Sequence, residues 1–313
     1  MIGGVGNVSV LRAGTVHNGR YEISPGGDVV HFFSIGDHSC QPQIPASANN
    51  LARRIPTPLF GAGLIEALSD SAIRTWEDPD DRNHDGIRGR AALVMDPATH
   101  TMQVGRFGWK AQQATLLAFT AEALRNEMGI TNDLFPNEIG TGLSTEQLAA
   151  CDAVPDPEDK ADPEAHLRGI DQLALFTRFL APVTPLPQTE SMHRGLELFS
   201  RIDCAACHVP ELHTGSNENP ALDNKAVNAY SDFLLHDIGT GDGVEQGAAK
   251  GNEFRTSPLW GLRFRKLLMH DGSALNPTEA IKQHRGEADR SSQMFDVLSE
   301  SDRQALLDFL SSL

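Results

Sequence analysis

Five consecutive residues, Cys204-Ala205-Ala206-Cys207-His208, carry the most specific chemistry in the chain. Two thiols separated by two residues can add to the two vinyl groups of a haem, and the imidazole that follows takes one axial position on the iron. A Cys-x-x-Cys pair could instead be a redox dithiol, but that reading wants a strand leading into a helix. Here the pair follows Gly195-Leu196-Glu197-Leu198-Phe199, which has helical spacing, and precedes Val209-Pro210. A structural zinc needs a second ligand pair, whereas Cys40 and Cys151 each stand alone. One covalent haem c on Cys204 and Cys207, with His208 as proximal ligand, is the leading expectation. Zinc or dithiol chemistry is the alternative.

The opposite face of the iron decides between electron exchange and ligand chemistry. A fully coordinated iron has little to rearrange when it changes charge; an open position admits peroxide or another small molecule. The downstream candidates are His236, Met269, His270, His284 and Met294. Met269 closes the apolar run Leu267-Leu268-Met269, where core packing is the ordinary role. His270-Asp271-Gly272 is either an imidazole with a supporting carboxylate or a polar turn. His284 ends the segment Glu279-Ala280-Ile281-Lys282-Gln283-His284, which has helical spacing. Spacing alone leaves these candidates open.

A second stretch bears ligand-type residues. Asp81, Asn83, Asp85 and Gly86 occupy the first, third, fifth and sixth places of a calcium-loop pattern, but Ala92 stands at the twelfth place, where a glutamate is wanted. The stretch is a Ca2+ candidate or a solvated acidic turn. In an oxidising compartment Cys40 and Cys151 could form a disulfide, provided their Cα atoms approach within about 7 Å.

The elements that must position these residues are read from periodicity. Helices are expected over 111–128, stopped by Gly129, from Ser144, over 167–180, over 193–201, and after Ser299, where Asp302 completes a capping pattern. Val29-Val30-His31-Phe32-Phe33 is a short strand or buried loop, and Trp109 is a core residue or a neighbour of the cofactor. Pro182, Pro185 and Pro187 mark a boundary between regions 1–184 and 185–313. The 313 residues suffice for two domains, with 40% hydrophobic residues. Forty-two acidic against 26 basic residues give a formal charge of -16, which disfavours nucleic acid and suits a basic redox partner. No apolar run reaches the roughly 18 residues of a membrane span. No hydrolase carboxylate pair, phosphate-binding glycine loop or serine nucleophile emerges.

Several motifs together resemble the di-haem oxidoreductases, relatives of bacterial di-haem cytochrome c peroxidases. They are Arg54-Ile55-Pro56-Thr57-Pro58-Leu59-Phe60-Gly61 with Ala62-Gly63-Leu64-Ile65-Glu66, Asp85-Gly86-Ile87-Arg88-Gly89-Arg90, Gly105-Arg106-Phe107-Gly108-Trp109-Lys110-Ala111 and Met128-Gly129-Ile130-Thr131. Leu235-His236-Asp237-Ile238-Gly239, Arg255-Thr256-Ser257-Pro258-Leu259-Trp260-Gly261 and His270-Asp271-Gly272 complete the set, which spans about Gly26 to Leu313.

The resemblance implies a mostly α protein: a cytochrome c-like domain over 185–313 and an incomplete, irregular and helical partner over 1–184. It puts His284 at the position of the second iron ligand, with Met269 as runner-up. It also implies that Arg255 and Trp260 line the haem edge or hold propionates, the alternatives being a surface-loop cation and a core tryptophan. Family members generally carry two Cys-x-x-Cys-His motifs and this chain carries one. The expected function is therefore a c-type cytochrome module that exchanges electrons with a redox partner protein or small donor, serving a peroxide-reducing site elsewhere. A single-haem carrier with an N-terminal docking region is the alternative. Covalent haem implies a periplasmic or otherwise exported protein, although Met1-Ile2-Gly3-Gly4-Val5 shows no export signal; a start inside a longer chain, or a removed signal, reconciles the two.

Overall fold

The structure is a computed structural model that describes residues 9–34, 40–151 and 160–313. About 30% of the chain is helical and 15% lies in strands, in several small sheets, which corrects the mostly α expectation. Strand β1 (Val10–His17) pairs antiparallel with β2 (Arg20–Ile23) and with β3 (Asn50–Arg54). Asn18 and Gly19 join β1 to β2 with φ of 52° and 76°. A type I′ hairpin turn needs positive φ at both central residues, and Asn-Gly is its favoured pair. That dipeptide is the sequence signal for the hairpin. By contrast, the segment 29–33, read as a short strand or a buried loop, makes one bridge, between Val29 and Arg12, and leaves Phe32 and Phe33 exposed.

A second hairpin joins β4 (Ala92–Asp96) to β5 (Thr101–Gly105). Its turn is held by Asp96, whose Oδ1 accepts from the Ala98 and Thr99 amides, each at 2.9 Å. The short helices α1 (Ala62–Glu66) and α2 (Asp70–Arg74) precede it. Helix α3 (Leu116–Ala123) begins later than periodicity suggests, because Ala111 is left-handed and the Thr115 hydroxyl caps the Ala118 amide instead. It continues as a π-helical turn to Met128, and Gly129 at φ 68° ends it, where the stop was expected. Helices α4 (Thr145–Cys151) and α5 (Gly169–Arg178) follow. Cys40 and Cys151 are disulfide-bonded, with Cα atoms 6.1 Å apart.

Beyond the prolines, α6 (Glu190–Arg201) is capped by Thr189 and runs into the cysteine pair. Two-residue ladders, β6 (Leu212–His213) with β7 (Ala226–Val227) and β8 (Leu235–His236) with β9 (Phe254–Arg255), pin the long polar connections. Helices α7 (Pro277–Gln283), α8 (Asp289–Asp296) and α9 (Glu300–Leu310) close the chain, and Ser299 caps α9. Helices α6 and α9 pack closely enough that a Cβ on Gly195 would lie 2.1 Å from the Ala305 carbonyl oxygen. The Phe199 and Phe309 rings meet at 5.4 Å, in a core with Ile202, Phe295, Leu306 and Leu310. A second core unites Ile65, Ile73, Phe107 and Leu116 with Val209, Phe233, Leu234 and Trp260. The regions on either side of the prolines therefore share apolar packing, each fully buried large side chain contributing roughly 1.5–3 kcal/mol.

Candidate haem-binding site

Helix α6 ends at a left-handed Asp203, φ 63°, and Cys204–Ala206 form a 3-10 turn. The His208 amide donates to the Cys204 carbonyl at 2.9 Å, folding both thiols and the imidazole onto one wall of a cavity of about 450 Å³. That volume falls in the range of cofactor sites. The thiols are not joined to each other. Burial, reinforced by Cys207 and Asp203, pushes the Cys204 thiol up to about 12, and burial raises Cys207 too. A dithiol that must ionise to react is poorly served by this environment.

His208 and His284 are prepared in the same way. The His208 Nδ1 lies 2.9 Å from the Tyr230 carbonyl oxygen, and the His284 Nδ1 lies 2.7 Å from the Ala280 carbonyl oxygen. A carbonyl only accepts, so each Nδ1 carries the proton and each Nε2 keeps its lone pair. Burial, aided by the nearby His284 ring, pushes His208 down to about 4, and burial also lowers His284. Two neutral imidazoles with free Nε2 atoms thus line one cavity. Met269 and His270 line it as well. Met269 is half-buried against the α6–α9 core, at φ 65°. His270 is stacked on Phe254 at 4.1 Å, and Asp271 accepts from the Ser273 amide, making the polar turn. Met294 packs in the apolar core.

Two arginines give the cavity an anion-binding wall. Arg255 donates to the Gly108 and Thr256 carbonyls at 2.9 and 3.1 Å. Arg265, which sequence reasoning missed, donates to the Pro258 carbonyl at 2.7 Å, and its buried Nε has no partner. Burial lowers both to about 10, with Arg265 lowering Arg255 further. Neither makes an ion pair with a carboxylate among the described residues. A buried Arg255 and a half-buried Arg265 with a bare Nε match the propionates of a haem. Thiols, imidazoles, cations and the apolar lining of Leu259, Leu262 and Leu306 fit that cofactor.

The other sequence candidates lie elsewhere. Trp260 does not line the cavity: its indole packs against Gly61, where a Cβ would lie 2.5 Å away. Trp109 does line it and donates from Nε1 to the Ile55 carbonyl at 2.6 Å. Asp81, Asn83 and Asp85 share an exposed turn that satisfies itself. The Asp81 carboxylate accepts from the Gly86 amide at 3.0 Å, and Asp85 accepts from the Ile87 amide at 2.8 Å and the Asn83 side chain at 2.9 Å. Ala92 is buried in β4, so no glutamate closes the loop. Among the described residues, the one group of three acidic, histidine or cysteine side chains at metal-binding spacing is Cys207, Asp232 and His236.

Residues 39–313 match the family described as "Di-haem oxidoreductase, putative peroxidase". The chain belongs to the di-haem oxidoreductase family. Membership gives it a haem-based redox role and a haem cofactor. No curated protein matches significantly. Among solved structures, a MauG-like protein associated with microbial copper homeostasis is 17% identical, with 93% of this chain and 92% of that one aligned and a TM-score of 0.39. The di-haem peroxidase BthA from Burkholderia thailandensis is 14% identical over 98% and 95%, TM-score 0.35. Hydrazine synthase from Kuenenia stuttgartiensis is 18% identical over 56% of this chain, TM-score 0.33, and this chain spans 63% of it. No helix among the described residues of this oxidoreductase is long and apolar enough to cross a membrane.

Proposed function

We propose that this di-haem oxidoreductase chain attaches one haem c through Cys204 and Cys207 and holds its iron between His208 and His284. The observation that carries this reading is the matched pair of imidazoles, each fixed by a backbone carbonyl so that Nε2 remains unprotonated beside the thiols. Such a cofactor supplies one-electron exchange at a six-coordinate iron. Tyr230 and Ala280 hold the ring tautomers, which removes a proton-release step from ligation. Arg255 and Arg265 anchor and neutralise the carboxylates, while Leu259, Leu262 and Leu306 keep water from the macrocycle face.

The role that follows is electron relay, from a donor protein or small reductant to a peroxide-reducing haem that this chain, with its single Cys-x-x-Cys-His, does not itself attach. The acidic surface favours a basic donor, and covalent attachment places the protein in the periplasm or another exported compartment. Haem stoichiometry tests the reading: protein made with a cytochrome c maturation system is assayed by the pyridine haemochrome method. One covalent haem per chain is expected, and a chain without haem would overturn the reading and return zinc or dithiol chemistry.

A further inference from the structure

The segment from Tyr230 to Gly239 runs from one imidazole to the other. At its start the Tyr230 carbonyl holds His208, the Ser231 amide donates to the Val209 carbonyl at 3.0 Å, and the Asp232 amide donates to the Cys207 carbonyl at 2.9 Å. At its end the Arg285 amide donates to the Ile238 carbonyl and the Glu287 amide to the Asp237 carbonyl, both at 2.9 Å. These two bonds dock the turn that follows His284. Close approach is required there, because a Cβ on Gly286 would lie 2.4 Å from the Asp237 carbonyl oxygen. One strap thus contacts both ligand-bearing segments.

The His236 side chain braces this strap. Its Nε2 lies 2.9 Å from an Asp232 carboxylate oxygen, and its Nδ1 lies 2.7 Å from a Glu287 carboxylate oxygen. Ionised carboxylates only accept, so both ring nitrogens donate and the ring is an imidazolium. Asp232 and His236 are almost completely buried, and Cys207 Sγ lies 3.9 Å from Nδ1. Glu287 also accepts from the Arg88 and Asp237 amides at 2.9 and 3.0 Å, which fixes its carboxylate. Gly89 leaves the room: a Cβ there would meet the ring at 2.6 Å. Charge-assisted bonds of this kind are roughly twice as strong as neutral ones.

We infer that His236 is a positioning residue that ties the His284-bearing turn to the attachment turn and so keeps His284 on the iron. The inference rests on the proposed bis-histidine haem. Asp232 fixes the ring from the attachment side, Glu287 receives it from the distal side, and the turn that carries His284 cannot swing away while both bonds hold. Electron exchange at a six-coordinate iron depends on that restraint.

The experiment compares haem-loaded wild type, His236→Gln and Glu287→Gln by haemochrome stoichiometry, oxidised-state spin and binding of added cyanide. A glutamine at 236 cannot donate to both carboxylates, and the amide at 287 keeps its size while losing its charge. Both variants are expected to retain one haem per chain, show a high-spin fraction absent from wild type, and bind cyanide about tenfold faster, the scale of one lost charge-assisted bond. If His236→Gln fails to fold or to attach haem, Glu287→Gln alone decides. Haem-loaded variants with wild-type spin state and cyanide rate would overturn the positioning role and leave the proposed haem intact. A wild-type chain without haem, or one with haem that is high-spin from the start, would overturn the underlying ligation and this inference with it.

Discussion

The attachment turn at Cys204 to His208 and the acidic turn at Asp78 to Arg90 both concentrate ligand-type residues, and the structure treats them oppositely. In the first, the Tyr230 carbonyl engages the far side of the His208 imidazole and leaves Nε2 free beside a cavity, as the Ala280 carbonyl does for His284 in the same cavity. In the second, the carboxylates accept from amides of their own loop: Asp78 from Arg82 and Asn83, Asp81 from Gly86, Asp85 from Ile87. The acidic turn still serves the cavity, because it places Ile87 in the lining and the Arg88 amide on Glu287. Residue type and spacing nominate a site; the atoms left unengaged after folding decide whether it can hold a ligand.

The largest test of that contrast removes both thiols. Cys204→Ser with Cys207→Ser should abolish covalent haem, so that acidified organic solvent extracts all cofactor that the wild type retains. Replacing His284 with alanine comes next. The oxidised spectrum should change from low-spin to high-spin, whereas Met269→Leu should leave it low-spin; the reverse pattern would make Met269 the ligand. Arg265→Met should keep the haem and lower its midpoint potential by ~40 mV, about 1 kcal/mol for a one-electron couple, since a nearby cation favours the reduced state.

Only part of this site was legible beforehand. The Cys204-Ala205-Ala206-Cys207-His208 turn is local chemistry, and family resemblance picked out His284, which the structure puts in the same cavity. The partners that prepare these residues were not legible, because they are distant in sequence: Tyr230 lies 22 residues from His208, and Glu287 lies 51 from His236. Arg265 was hidden because an arginine in the run Arg263-Phe264-Arg265-Lys266 reads as one of several surface cations until its contacts are known. Trp260 misled in the other direction, since an indole suits a haem face and an apolar core equally, and Gly61 draws it into the core. The fold class was misread for a physical reason too. Asn18-Gly19 fixes a hairpin by backbone sign alone, and two-residue ladders such as β8 with β9 are too short to leave an alternating pattern.

A pH series on chain made without haem sharpens the contrast further. His208 and His284 are depressed in the folded state, His208 from 6.5 to about 4, so the unfolded chain takes up protons first as pH falls. Stability from this source is intact above about 6.5 and declines toward pH 4. His236 is raised, because burial opposes its charge but the carboxylates on its two ring nitrogens, Asp232 foremost, outweigh that cost, so its contribution is complete below 6.5 and is lost only as pH rises through its higher folded value. The melting temperature should therefore fall between pH 6.5 and 4, and His208→Gln should flatten that fall. An equal fall in the variant would assign the effect to carboxylates.

The smallest effect belongs to the acidic turn. Asp85→Ala removes the acceptor of the Ile87 amide and the partner of Asn83 in an exposed loop, where water replaces much of what is lost. A destabilisation of about 1 kcal/mol, or roughly 2–4 °C in melting temperature, is expected, with haem content and spin state unchanged. If the haem spectrum changed instead, the turn would be coupled to the iron through Arg88 and Glu287, and the separation drawn between the two turns would fail at that bond.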